Sequence, residues 1–296
     1  MAIVTLENIL VGAAMIVLSS ACLIANTLVL STIASSSDFY VHSSYKLMLL
    51  MGVFDVAQLA VHFATGVFTV LQFEADFLTY TILGVIISPS YECYVFVTVL
   101  LSFNRFILLC FHRFEDIWII LTFLIFVAFG GLHATDKVFS FYSVQEYNWS
   151  YDYSFIWSRV RQNAIMYYQI LGIFVAWVFY IAITVSLLRY RKEMDSVARF
   201  KANKKILIQA FVITLYCTFQ NIVWHKIDIF IPDGGKMANF ALNMMWIGNA
   251  GLSPFLCLAL NKTIRKRILK KFLCQRHPNG SVVPLDPHKS HTSFHK

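Results

Sequence analysis

The sequence predicts an all-α membrane protein: a bundle of seven transmembrane helices followed by a short amphipathic helix on the cytoplasmic side. Three observations predict it. Hydrophobic residues fill 58 % of the 296 positions and charged residues only 14 %, against roughly 25 % charged in a soluble domain. Seven apolar runs each approach or exceed the roughly 20 residues that a helix needs to cross a bilayer. The basic residues fall overwhelmingly on one side of those runs. A water-soluble fold of this size would have too much surface to cover with so few charges, whereas lipid solvates apolar side chains directly.

The runs are 9–33, 45–73, 78–109, 117–135, 163–188, 205–230 and 238–260. The first lacks a basic leader and is too long for the apolar core of a signal peptide, so it reads as a retained span. With the N-terminus outside, the cytoplasmic side holds 19 Lys and Arg and the outer side 5 of the 24. This bias sets orientation when loops are short. Asn148-Trp149-Ser150, an N-glycosylation sequon after the fourth span, then lies outside. The net charge of +8 reflects basic segments beside apolar runs, at Arg189–Lys205 and Lys262–Arg276. Such juxtamembrane segments meet lipid headgroups, and no nucleic-acid-binding motif is present.

After the seventh run, Lys262 to Cys274 reads as an amphipathic helix on the membrane surface. Ile264, Ile268 and Phe272 repeat every four residues, opposite a basic face. Cys274 at its end is a candidate for palmitoylation or a plain thiol. The spans leave no room for a second domain: residues 1–273 form one seven-helix unit and 274–296 a disordered cytoplasmic tail. The six cysteines are scattered without metal spacing. No metal or cofactor site is expected, and no protease or hydrolase motif suggests an enzyme.

Polar residues at bilayer depth cost roughly 3 kcal/mol when charged, so each needs a partner, a cavity or a task. Asn26, Asp55 and Asn249 fall in spans one, two and seven and are expected to share one hydrogen-bonded network. Pro254 bends span seven, as a hinge or as a static kink. Arg105 closes span three, either snorkelling to the interface or making a contact that changes between states. Glu92 lies thirteen residues earlier, about 20 Å further out. It reads as a ligand or proton site, or as half of a structural pair, with Lys226 as its candidate cation. His62, Tyr91, Gln169, His225 and Trp246 are expected beside it around an outer cavity. The loop between spans four and five is densely aromatic, from Phe139 to Trp157, as a lid or as an interfacial belt.

These residues, in this order, resemble a family. Asn26, Asp55, Asn104-Arg105 and Asn249…Ser253-Pro254 are similar to the rhodopsin-like receptor pattern. Ser44-Tyr45-Lys46, Gly52-Val53-Phe54-Asp55, Ser102-Phe103-Asn104-Arg105 and the ending Pro254 to Arg265 resemble the nematode serpentine receptors, class T above all, over about residues 5–273. The resemblance implies a chemosensory G-protein-coupled receptor in the plasma membrane of a sensory neuron. It implies a small-molecule ligand in the outer half, an activation network of Asn26, Asp55, Asn249 and Pro254, and a heterotrimeric G protein met at Asn104 and Arg105. Two departures stand out. Asn104 occupies the position of the usual acid, and no cysteine is placed for the usual outer disulfide. A lysine for retinal is absent between Met237 and Asn261, which excludes an opsin. The alternative is a transporter or channel subunit, but no internal repeat supports it. The outer residues, apolar and aromatic with few charges, favour a small, largely neutral ligand.

Overall fold

The computed structural model describes residues 5–40, 42–110, 117–189, 197–226, 231–232 and 234–275. Among these, the helices are α1 (Leu6–Ala34), α2 (Ser37–Tyr40), α3 (Ser43–Leu71), α4 (Phe77–Cys110), α5 (Ile117–His133), α6 (Ser158–Arg189), α7 (Val197–His225), α8 (Gly235–Leu260) and α9 (Lys262–Gln275). Each expected apolar run corresponds to one long helix. Most helices extend past the apolar run into polar sequence, because backbone hydrogen bonding continues where hydropathy has already fallen. The largest shifts are at α6, which begins at Ser158 rather than 163, and α7, which begins at Val197 rather than 205.

Among the described residues, four helices are long and apolar enough to cross a membrane: α1, α3, α4 and α6. Helix α5 is as apolar but shorter. Its Ile120, Phe123, Leu124 and Val127 are all more than half exposed, at the i, i+3, i+4, i+7 spacing of one helix face. Helix α6 exposes Ile170, Leu171, Phe174 and Ile181 in the same manner. Apolar stripes of this extent are unstable against water and suit acyl chains.

Small residues let the helices approach closely. A Cβ on Gly12 of α1 would lie 2.6 Å from the Gly66 carbonyl oxygen of α3. A Cβ on Gly251 of α8 would overlap Cys22 Sγ of α1. Helices α1, α3 and α8 therefore form one tightly packed group. The principal core includes Met15, Met51, Leu59, Val97 and Ile247, all fully buried.

The loop before α6 folds into a hairpin, β1 (Ser140–Ser143) antiparallel to β2 (Asn148–Tyr151), with Ser140 opposite Tyr151. Hydropathy gave no sign of it. Tyr147, in the hairpin turn, adopts φ +51°, a left-handed conformation uncommon for a non-glycine residue. It is nonetheless fully buried. Its hydroxyl donates to Asn8 Oδ1 and to Glu7 Oε1 on α1, and its carbonyl accepts from Asn243 Nδ2 on α8. Lys236 stands 5.5 Å from its ring centre and pairs with Glu7 at 2.6 Å. Burial pushes the Tyr147 phenol up, which keeps it a hydrogen-bond donor.

Helix α9 corrects one expectation. Its apolar face was expected against lipid, but Ile264 and Ile268 are buried against Val29, Ile33, Phe39 and Cys257. The protein's own α1 and α2 supply an apolar surface nearer than the bilayer. Arg267 pairs with Asp38 at 2.7 Å, and Lys271 Nζ donates to Ser35 Oγ at 2.7 Å. Asn261 caps the helix by accepting from Thr263 and Ile264 N–H. The side chain of Cys274 and residues 276–296 lie outside the described residues.

Candidate functional site

Four helices and the hairpin enclose a cavity of about 310 Å³, at the small end of ligand pockets, roughly 300–1,000 Å³. Each helix contributes one face. Helix α4 presents Ile87, Ser88, Tyr91 and Glu92, a pair of neighbours one turn above another. Helix α6 presents Gln162, Ile165 and Gln169, and α8 presents Asn239, Leu242 and Trp246, both at i, i+3, i+7. Helix α7 adds Trp224 and His225 one turn after Gln220 and Asn221, and β2 closes the cavity with Asn148 through Tyr151.

Tyr91, Glu92, Gln169, His225 and Trp246 thus line one space. His62 does not join them. It is fully buried, its ring packs 5.0 Å from Trp246, and neither ring nitrogen has a hydrogen-bond partner among the described residues. Helical periodicity gives the face a residue occupies but not whether a larger side chain screens it from the cavity. Trp246 provides that screen, and its indole N–H donates to Gln58 Oε1 at 2.8 Å.

Glu92 also departs from expectation. Its cation is Arg161, not Lys226, which is exposed. One Arg161 nitrogen donates to both carboxylate oxygens, at 3.0 and 3.2 Å. Both side chains are 1 % exposed. Ser88 Oγ donates to the same carboxylate at 3.0 Å, and Arg161 lies over the Phe129 ring. The pair was missed because α6 starts five residues before its apolar run, and those residues carry the arginine inward. Glu92 and Arg161 offset one another's charge, while Arg161 Nε is left without a hydrogen-bond partner among the described residues.

The floor of the cavity is aromatic. Trp224 and Trp246 meet at 84° with centres 5.2 Å apart, and Tyr91 meets Trp246 at 67° and 5.3 Å. Asn221 Nδ2 donates to the Tyr91 hydroxyl at 2.9 Å, and His225 Nε2 pairs with Gln169 Oε1 at 3.1 Å. Asn148, the expected sugar acceptor, donates from Nδ2 to Asn239 Oδ1 at 3.4 Å. Trp149 is one of the loop aromatics read as a lid or a belt, whereas Trp224 and Asn239 were not anticipated. For Trp224 a signal existed, its position one turn after Gln220 and Asn221.

Deeper in the bundle, the expected shared network resolves into separate bonds. Asn26 donates to the Cys22 and Ala250 carbonyls, at 3.2 and 3.1 Å, and Asn249 accepts from the Tyr94 hydroxyl at 3.1 Å. Asp55 is fully buried, and neither carboxylate oxygen has a hydrogen-bond partner among the described residues. Asn26 and Asn249 thus meet through the α8 backbone and Tyr94 rather than directly, and Asp55 shares no hydrogen bond with either among the described residues. Pro254 lies inside α8, one residue after the buried Ser253.

At the opposite end, Asn104 joins α4 to the start of α3. Its Oδ1 accepts from Ser43 Oγ at 2.8 Å and its Nδ2 donates to Ser44 Oγ at 3.1 Å. Arg105 does not snorkel outward. It is 9 % exposed and lines a second cavity of about 10 Å³ with Thr98, Tyr180, Gln209 and Ser253, space for about one water.

The family model described as "Serpentine type 7TM GPCR chemoreceptor Srt" matches residues 3–280. A search of curated proteins returns no match.

Proposed function

Because the chain belongs to the serpentine seven-transmembrane chemoreceptor family Srt, we propose that it binds a small, largely neutral ligand in the outer cavity and activates a heterotrimeric G protein at the other end. In this reading all seven long helices span the plasma membrane of a sensory neuron, with the N-terminus outside. Helix α9 lies along the inner face, where Leu269, 55 % exposed, and the lysines meet lipid headgroups.

The observation that carries the reading is the separation of two sites on one helix. Helix α4 holds Tyr91 and Glu92 at the cavity and Asn104 and Arg105 at its far end. A ligand that repositions α4, α6 or α7 at the cavity alters the packing around Arg105 without touching it. Asn26, Asp55, Asn249 and Pro254 lie in the helices between or beside the two ends and form the connecting region. Arg105 is withdrawn among Tyr180, Gln209 and Ser253, which suits a resting state.

The test is expression in cells carrying a G-protein reporter, with an epitope tag on the N-terminus. The tag is expected to be accessible on intact cells, and a small organic ligand is expected to raise the reporter. A tag reached only after permeabilisation overturns the orientation. Ligand-driven flux of the ligand itself, without a reporter response, favours a transporter.

A further inference from the structure

We infer that the outer cavity selects an uncharged molecule with a planar ring and a substituent that both donates and accepts a hydrogen bond, such as an aromatic alcohol. The inference rests on reading this cavity as the ligand site and narrows what it takes.

The charge argument comes from the wall. Glu92 is the carboxylate that borders the cavity, and it is already held by Arg161 through both oxygens and by Ser88. With both side chains 1 % exposed, a cationic ligand reaches Glu92 only by displacing Arg161. That strands a guanidinium in a buried site, which is strongly unfavourable. An anionic ligand gains Arg161 only by stranding Glu92. The pair therefore rejects both signs of charge.

The ring argument comes from the floor. Trp224 and Trp246 stand nearly perpendicular, with Tyr91 tilted against Trp246. Aromatic groups prefer edge-to-face and offset contacts, and this corner offers both faces and edges to a flat guest. The hydrogen-bonding argument comes from two lining residues whose capacity is unused. Gln220 is 2 % exposed and Trp149 9 % exposed, and among the described residues neither Gln220 Oε1 nor the Trp149 indole N–H has a hydrogen-bond partner. Buried polar atoms without partners are rare and call for a cause. One is an acceptor and the other a donor, and a hydroxyl carries both capacities.

Three probes of one shape test the inference on the purified full chain in lipid nanodiscs: 2-phenylethanol, phenethylamine and phenylacetate. Binding is read from quenching of tryptophan fluorescence and from the thermal unfolding midpoint. The alcohol is expected to bind saturably in the low-millimolar range or better, and the amine and acid at least tenfold more weakly. 2-Cyclohexylethanol, which lacks the planar ring, is also expected to bind several-fold more weakly. Gln220→Leu removes an unsatisfied buried acceptor, so the empty protein is expected to melt no lower while alcohol binding weakens about tenfold. Equal or tighter binding of a charged probe or of the cyclohexyl alcohol, unchanged alcohol binding in Gln220→Leu, or no saturable alcohol binding overturns the inference. Binding of the alcohol without any G-protein response leaves the inference standing and removes the receptor reading instead.

Discussion

Arg161 lies where composition alone would place a loop residue, yet it is 3 % exposed and sits against the one carboxylate of the cavity wall. A buried ion pair contributes little net stability, but removing one member leaves the other charge unmatched, at a cost of about 3–5 kcal/mol. Arg161→Met and Glu92→Gln are therefore expected each to lower the unfolding midpoint and surface level, Glu92→Gln the more, because it leaves buried a guanidinium that cannot shed its charge, whereas a lone Glu92 can take up a proton. The double variant is expected to recover part of the loss. Additive losses in a double-mutant cycle, measured by thermal unfolding of the purified protein, would show that the two do not depend on each other. Glu92 itself was legible in the sequence as a charge needing a partner. Its partner was not, because hydropathy reports where apolar residues end and not where a helix begins. His62 shows the same limit in another direction: its type and face were readable, but Trp246, which covers it, comes from a distant helix.

At the scale of elements, the long helices were the most legible part, since runs of apolar residues both demand lipid and satisfy their backbone internally. The hairpin was the least legible. Its strands are four residues each, and their aromatic residues serve a belt and a lid equally well by composition. Tyr147 engages α1 through its hydroxyl and α8 through its carbonyl, and Tyr142 adds a bond from β1 to Thr69 on α3. Tyr147→Phe keeps the ring and removes the hydroxyl, at an expected cost of about 1 kcal/mol. The measurable outcome is faster amide hydrogen exchange in β1 and β2, with little change in α3 or α4. Unchanged exchange in the hairpin would mean that the ring and the carbonyl suffice. Helix α9 was legible as a helix, but what its apolar residues pack against was not. The same stripe of Ile264 and Ile268 suits a bilayer or a protein surface, and only the folded α1 and α2 decide for the protein.

Across the whole molecule, the packing is uneven. Close contact at Gly12 and Gly251 makes α1, α3 and α8 one unit, whereas α6 and α7 meet each other along fewer residues, with a small cavity beside Arg105. Motion that exposes Arg105 therefore comes most easily from α6 and α7. Arg105→Ala is expected to reach the cell surface and bind the same ligand with unchanged affinity, yet to lose most of its G-protein response. Full signalling from that variant, measured with the same reporter, would take Arg105 out of the coupling role. The hairpin adds a property of another kind. Its fixed position depends on hydrogen bonds and burial, and residues 134–157 contain no cysteine. The outer cavity is thus independent of thiol chemistry: a strong reductant such as dithiothreitol is expected to leave ligand binding intact, and the same wall forms whether or not its surroundings are oxidising.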